Sequence, residues 1–190
     1  EAEDDRQKQA LRTVIRRMIA MQKGNLRATR KLADWQRSGS GDIEQDDEAR
    51  KRFDARTQAV VDGEEGIYQR ARDAVQKYSG PTVADTVAGL ATVANNEISD
   101  AVDATKELRK VKSVDEIEPI AEKSAAAEQE VIQKLQELLE DPQRLLAKRR
   151  EVEKKREKLT ETEKPLMDEK RELERMLEKD PARRYRRADA

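Results

Sequence analysis

Apolar residues recur at three- and four-residue steps through most of the first 140 residues. This spacing places them on one face of an α-helix, so it constrains the chain to long amphipathic helices. In the first segment, from about residue 4 to 36, the apolar stripe comprises Leu11, Val14, Ile15, Met18, Ile19, Gln22, Leu26, Thr29, Leu32 and Ala33. The run Ser38-Gly39-Ser40-Gly41 ends this helix.

Start signals predict three further helices before residue 141. Asp42 and Gln45 have the spacing of a capping box and are expected to open the second helix. Ser113 and Glu116 form another capping box, which is expected to open the fourth helix. The predicted spans are about 42–78, 83–111 and 114–140, and Asp141-Pro142 is typical of the start of a fifth helix.

Residues 142–190 follow a different pattern from the segments before them. Their apolar side chains repeat every seventh position, at Leu145, Val152, Leu159, Leu166 and Leu173. The other seam positions are mostly charged, so this stripe is too thin to close on itself. We predict a highly charged extended helix with a kink near Pro165 and a basic C-terminal tail. The heptad residues are expected to contact a protein partner or a second copy of the chain; the other interpretation is a solvated spacer, or a helix packed on its own bundle.

Together these patterns predict an all-α protein. We expect an antiparallel bundle of about four long helices at residues 1–141, followed by the charged helix of residues 142–190. Hydrophobic residues make up 35% of the chain and charged residues 43%, which suits long, thin packing. Aromatic residues make up only 3%, which disfavours a deep apolar ligand pocket.

The composition also removes the commonest catalytic and metal-binding side chains. The chain has no Cys and no His, so thiolate and imidazole chemistry is excluded. The acidic stretch at residues 42–48 lacks the central glycine of a calcium-binding loop. We therefore expect no enzyme activity, no cofactor and no metal. Carboxylate pairs are expected on solvated helix faces, with nothing to raise the pKa of any of them.

Charge is segmented along the chain. Residues 1–41 carry 10 basic and 5 acidic groups, whereas residues 113–141 carry 2 basic and 9 acidic groups. Within the first helix, a basic stripe beside the apolar face comprises Arg12, Arg16, Lys23, Arg27 and Arg30. This stripe is a candidate contact for phosphate, anionic lipid or an acidic protein; alternatively it faces the acidic fourth helix or is solvated. No aromatic residue accompanies it, which disfavours nucleic acid.

Three glutamines lie within apolar helical stretches: Gln22, Gln58 and Gln129. Such a residue either sets the register between helices through a buried hydrogen bond or reaches water at the edge of the seam. Helices marked in this way, with Leu26 after Gln22 and Leu135, Leu138 and Leu139 after Gln129, resemble the Gln-marked helical modules of large bacterial cell-envelope proteins. The resemblance covers about residues 5–140 and implies a structural role in the envelope, with no catalytic residue to transfer.

The leading hypothesis is therefore a non-enzymatic structural or scaffold protein that belongs to a larger assembly in the bacterial envelope. One alternative is a periplasmic helical chaperone or sensor, and another is a binder of anionic membrane surfaces or nucleic acid. A start at Glu1 and the absence of Cys are compatible with export, so a periplasmic or otherwise exported location is expected, with the cytoplasm as the alternative. No apolar run is long enough to span a membrane, but peripheral membrane contact stays open.

Overall fold

The computed structural model describes residues 2–140 and, beyond them, Lys154, Lys155, residues 158–160, Pro165 and Lys170. The chain divides into two compact units, Glu1–Glu140 and Asp141–Ala190. All described residues of the second unit are helical. Across the described parts of both units, no helix is long and apolar enough to cross a membrane.

Five α-helices build the first unit. They are α1 (Ala2–Ala33), α2 (Asp47–Lys77), α3 (Ala84–Val93), α4 (Ser99–Glu107) and α5 (Val114–Glu137). A π-helical turn, Ala94–Ile98, joins α3 to α4, and a 3₁₀ turn, Leu108–Lys110, follows α4. Residues 2–140 contain no strand, and the prediction of an all-α bundle is confirmed.

The predicted helix starts are partly confirmed. Ser113 and Glu116 do form a capping box: the Glu116 carboxylate accepts hydrogen bonds from the backbone N–H groups of Lys112, at 2.8 Å, and of Ser113, at 3.3 Å. These two bonds lower the pKa of Glu116. The predicted capping box at Asp42 is wrong.

The second helix begins five residues later than predicted, because its N-cap is Asp46. The Asp46 carboxylate accepts from the N–H of Glu48 at 2.9 Å, and α2 follows directly. Asp42 instead accepts from the N–H of Glu44 at 2.8 Å and forms a turn. Ile43 lies in this turn, and its side chain is buried.

The predicted third helix, 83–111, is present as an unbroken helical stretch over residues 84–110, which contains a π turn at Ala94–Ile98 and ends in the 3₁₀ turn. The π turn contains wider hydrogen-bonded rings than an α-helix, which shifts the face that the following residues present. Ala94 and Ile98 are both buried at this point. The sequence did not predict this π turn.

The core consists of two apolar clusters. The first, here named the Leu11 cluster, contains Leu11, Ile15, Met18, Ile19, Leu26, Ile67, Ala71, Ala74, Tyr78, Val83, Leu90, Val93, Ala94, Ile98, Ala101, Val131, Ile132 and Leu135. The second, here named the Trp35 cluster, contains Leu32, Trp35, Ile43, Ala49, Phe53, Val60, Leu108, Val111, Ile117 and Ala121. In the Trp35 cluster, Trp35 and Phe53 meet edge to face at 5.4 Å, and the indole N–H of Trp35 donates to the carbonyl of Gly41 at 2.9 Å.

Hydrogen bonds between helices show how α1 runs against its neighbours. Arg12 donates to the carbonyl of Leu139, just beyond the end of α5, and Thr29 lies against Glu128 of α5. Rising residue numbers in α1 are thus paired with falling numbers in α5. The second half of α1 therefore lies beside the middle of α5, and the candidate site is at this level.

Candidate functional site

A layer of buried polar side chains crosses the middle of the bundle. It comprises Gln22, Asn25, Thr29, Thr57, Glu64, Thr105, Ser124 and Glu128, which we call the polar layer. α1 supplies three of these residues, α2 and α5 two each, and α4 one. Along their own helices, Glu64, Thr105 and Glu128 each lie between residues of the Leu11 cluster and residues of the Trp35 cluster. The polar layer therefore interrupts an otherwise apolar core.

Glu64 is the centre of the first half of the polar layer. Its Oε2 accepts two hydrogen bonds, from Nε2 of Gln22 at 2.8 Å and from Nδ2 of Asn25 at 2.7 Å. Asn25 Nδ2 also donates to the carbonyl of Val60 at 3.0 Å. Both donors belong to α1 and both acceptors to α2, so this network fixes the register between the two helices. Of the three glutamines singled out from the sequence, Gln22 takes this buried role, whereas Gln58 and Gln129 are exposed.

Gly63 makes room for this network. A Cβ atom at residue 63 would lie 2.4 Å from Oδ1 of Asn25, far inside van der Waals contact. At Gly66, one turn further along α2, a Cβ atom would meet nothing within 4 Å. The two glycines of α2 therefore differ, since only Gly63 is required for the close approach of α1.

Glu128 is the centre of the second half of the polar layer. Its Oε1 lies 2.6 Å from the hydroxyl oxygen of Thr29, and the same hydroxyl lies 3.2 Å from the carbonyl of Asn25. The remaining small side chains pair with backbone: Ser124 donates to the carbonyl of Ala104 at 2.8 Å, and Thr105 donates to that of Val102 at 2.9 Å. The layer thus links α1, α2, α4 and α5.

Burial changes the acidity of both carboxyl groups. Desolvation raises the pKa of Glu64 from 4.5 to about 7, against the opposing effect of its hydrogen bonds from Gln22 and Asn25. Desolvation likewise raises the pKa of Glu128 from 4.5 to about 8; the negative charge of Glu64 raises it further, while the Thr29 hydrogen bond and the charge of Arg30 oppose the rise. The expectation that nothing raises the pKa of a carboxylate in this chain is wrong, because two carboxyl groups lie in the core.

The basic stripe of α1 lies mainly on the surface. Arg12 is half-buried and donates to the Leu139 carbonyl at 2.8 Å, next to the C-terminal end of α5, where a positive charge is favourable. Arg16, Lys23, Arg27 and Arg30 are exposed. Within residues 2–140, none of these four forms an ion pair.

One heptad residue of the second unit is described. Leu159 lies in a helical stretch, residues 158–160, and is 62% exposed. Leu145, Val152, Leu166 and Leu173 lie outside the described residues, as do the surroundings of Pro165 on which a kink depends. The interaction predicted for this stripe stays a prediction.

The surface of the first unit offers shallow grooves. One groove of about 530 Å³ between α4 and α5 is lined by three alanines, Lys123 and four acidic residues, Asp100, Asp103, Glu107 and Glu130. A second of about 440 Å³ lies beside the loop around Gly39 and Gly41. Among the described residues, no group of three or more acidic side chains is arranged to hold a metal ion.

Comparisons of this chain with protein-family models, with curated proteins and with solved structures find no match. The resemblance to Gln-marked envelope modules therefore rests on the sequence pattern alone. Among the residues that sequence reasoning did not single out, Glu64 and Glu128 are the ones that most change the chemistry of the core. Each stands one turn from buried apolar residues on its own helix, in a position that the apolar stripe would otherwise occupy.

Proposed function

We propose that this protein is a non-enzymatic helical scaffold, in which residues 142–190 associate with the same segment of a second copy of the chain. The bundle provides a stable body, and the heptad segment provides the contact. The proposal is supported by the exposure of Leu159 and by the heptad pattern of the sequence around it.

The first unit buries nearly all of its own large apolar side chains. Among the described residues, the exposed large hydrophobic side chains are Met21, at 36%, and Leu159, at 62%. The sequence of residues 142–190 repeats one apolar residue per heptad and surrounds it with 17 basic and 12 acidic groups. In coiled coils, the charged residues beside the heptad stripe determine which helices pair.

The same observation weighs against the chaperone alternative. A protein that holds unfolded clients needs a contiguous apolar surface of several hundred Å². In the described part of the bundle, Met21 is the one exposed large hydrophobic side chain, and a single such residue needs no functional explanation. The sensor alternative does not require an apolar surface.

Sedimentation velocity of the full chain over a range of concentrations tests the proposal. The wild type is expected to form dimers or larger species as concentration rises, because the heptad stripes then bury each other. The double variant L159E/L166E is expected to sediment as a monomer at the same concentrations.

The matched control is M21E, which puts the same charge on the other exposed large hydrophobic position. It is expected to associate like the wild type. A wild type that stays monomeric at every concentration, or an M21E variant that dissociates as completely as L159E/L166E, would contradict the proposal.

The exposed basic residues of α1 support a second candidate function, which is contact with an anionic surface. Arg16, Lys23, Arg27 and Arg30 present four positive charges on one helix. We expect salt-sensitive binding to vesicles that contain phosphatidylglycerol, weakened by R27E and unaffected by R70E, a charge reversal at an exposed residue of α2. Absence of binding at low salt would exclude this function.

The bacterial envelope remains the proposed location, with the resemblance of residues 5–140 to envelope modules as its support. Fractionation of cells that express the native protein tests it. Recovery with the periplasmic or membrane fraction is expected, and recovery with the cytoplasm would contradict it.

A further inference from the structure

Four oxygen atoms of the polar layer have no hydrogen-bond partner in the protein. They are Gln22 Oε1, Thr57 Oγ1, Glu64 Oε1 and Glu128 Oε2, and all four residues are at most 1% exposed. Buried polar atoms are nearly always paired, because an unpaired one loses its hydration without compensation. An unpaired oxygen on an ionised, buried carboxylate is the most costly arrangement.

Glu64 and Gln22 each have one buried oxygen atom without a partner. Gln22 donates from Nε2 to Glu64 Oε2 at 2.8 Å, and the atoms left over on the two groups are Gln22 Oε1 and Glu64 Oε1. The two bonds that Glu64 Oε2 accepts favour the ionised form, but burial outweighs them. An ionised carboxylate can only accept hydrogen bonds, whereas a carboxylic acid also carries a hydrogen to donate. A proton on Glu64 therefore removes a buried charge and adds a donor beside two unpaired acceptors.

Glu128 has one buried oxygen atom without a partner. The Thr29 hydroxyl donates to Glu128 Oε1 at 2.6 Å, and this bond favours the ionised form. Glu128 Oε2 stays buried with no hydrogen-bond partner in the protein. An ionised Glu128 would therefore keep its negative charge away from water with one short hydrogen bond, which favours a proton on this group.

Few charges oppose the neutral forms. α1 presents Gln22, Asn25 and Thr29 to the layer, and α4 presents Thr105, none of which is ionisable. The charge that acts on Glu128 from α1 is Arg30, which is itself exposed, and from α2 it is Glu64. The π turn carries one further carboxyl group, the half-buried Glu97, whose Oε2 is also buried without a hydrogen-bond partner. With no buried cation among the described residues, two ionised carboxylates in this layer would repel each other, and the opposing positive charge is that of the exposed Arg30.

We propose that the folded bundle holds two protons in its core, one on Glu64 and one on Glu128, and that it releases them and loosens at the polar layer when pH rises through neutrality. The burial that raises the pKa values of these groups to about 7 and about 8 acts in the same direction. The two groups interact, so they titrate as a coupled pair. The two protons would make the bundle responsive to pH whether or not residues 142–190 associate.

Denaturant unfolding at a series of pH values tests the inference, with the fluorescence of Trp35 as the signal, since this is the sole Trp and it is fully buried. The unfolded chain releases both protons above about pH 5. The folded chain keeps them, so the unfolding equilibrium constant is expected to rise up to about tenfold per pH unit for each proton. Two protons give a rise of up to about a hundredfold per unit between pH 5 and 7.

The variants E64Q and E128Q carry a neutral amide in place of the acid. In each variant, the rise of the unfolding equilibrium constant per pH unit is expected to be about tenfold smaller than in the wild type. Their matched controls are E65Q and E130Q, at exposed neighbouring positions of the same helices, which are expected to keep the wild-type dependence. An unfolding constant that does not change between pH 5 and 7, or that changes equally in E64Q, E128Q and their controls, would overturn the inference.

A second measurement needs no variant, which keeps the test decisive if E64Q or E128Q fails to fold. Unfolding of the wild type at about pH 6 is expected to release about two protons per molecule into a weakly buffered solution with an indicator dye. Release of none would overturn the inference. So would a folded state at that pH that requires sodium or calcium ions to offset two ionised carboxylates.

Discussion

The two ends of the bundle differ from its middle in what holds the helices together. The Leu11 and Trp35 clusters are almost entirely apolar, and their contribution comes from area removed from water, which does not change with pH. The polar layer between them contributes little apolar area but contains a hydrogen-bonded network across four helices. We therefore expect the ends to supply most of the stability and the middle to supply register and pH dependence.

The largest effect is expected at the apolar ends, from Trp35→Ala. The substitution leaves a cavity where the largest side chain of the Trp35 cluster packs against Phe53, and it removes the hydrogen bond to Gly41. We expect a loss of roughly 3–5 kcal/mol in the free energy of unfolding. Denaturant titration followed by circular dichroism measures it, and the loss should be the same at pH 5 and at pH 7. A loss that depends on pH would contradict the claim that the apolar clusters contribute the same stability at every pH.

An intermediate effect is expected at the polar layer, from Gly63→Ala. The added Cβ atom would meet Asn25 Oδ1 at 2.4 Å, so Asn25 must move away from Glu64 and Val60. We expect a loss of roughly 1–3 kcal/mol in the free energy of unfolding, measured in the same way. Gly66→Ala is the control, and with open space around it this variant should gain up to about 1 kcal/mol from helix propensity. Equal effects of the two substitutions would show that the approach of α1 at Gly63 is not tight.

The smallest effect is expected at the surface, from Glu116→Gln. The backbone N–H groups of Lys112 and Ser113 lower the pKa of Glu116, so its ionised form stabilises the folded state. That contribution is present above the ordinary pKa of a glutamate and is lost as pH falls through the lowered value, which is the opposite sign to the two core glutamates. Thermal unfolding between about pH 3 and 6 should show a weaker loss on acidification in E116Q than in the wild type. An identical acid dependence would contradict the role of this cap.

The sequence predicts the helices well because a 3.6-residue period is a strong signal over 30 residues. It fails where a turn competes with a helix start: Asp42 and Asp46 both have cap chemistry, and Asp42 forms a turn that contains the buried Ile43, whereas Asp46 caps α2. It also fails at the π turn, where the apolar period alone does not show the extra width of the ring.

Only some residues of the polar layer could be predicted from the sequence. Gln22 and Thr29 could be assigned to the apolar stripe of α1, but Glu64 and Glu128 look like the many surface glutamates of a chain with 43% charged residues. A signal did exist, because α2 has no apolar residue between Val61 and Ile67, and Glu64 lies on the buried face one turn from each. Which glutamate is buried depends on the register of α1 against α2, and this register is a tertiary property.

The central claim is that the carboxyl groups of Glu64 and Glu128 are protonated in the folded bundle near neutral pH. Its most direct test is a carbon-13 NMR titration of the full chain labelled at the glutamate side-chain carboxyl carbons, with the two resonances assigned by their loss in E64Q and E128Q. We expect these two carboxyl groups to titrate at about pH 7 and about pH 8. Resonances of Glu64 and Glu128 that already have ionised shifts at about pH 6 would contradict the claim.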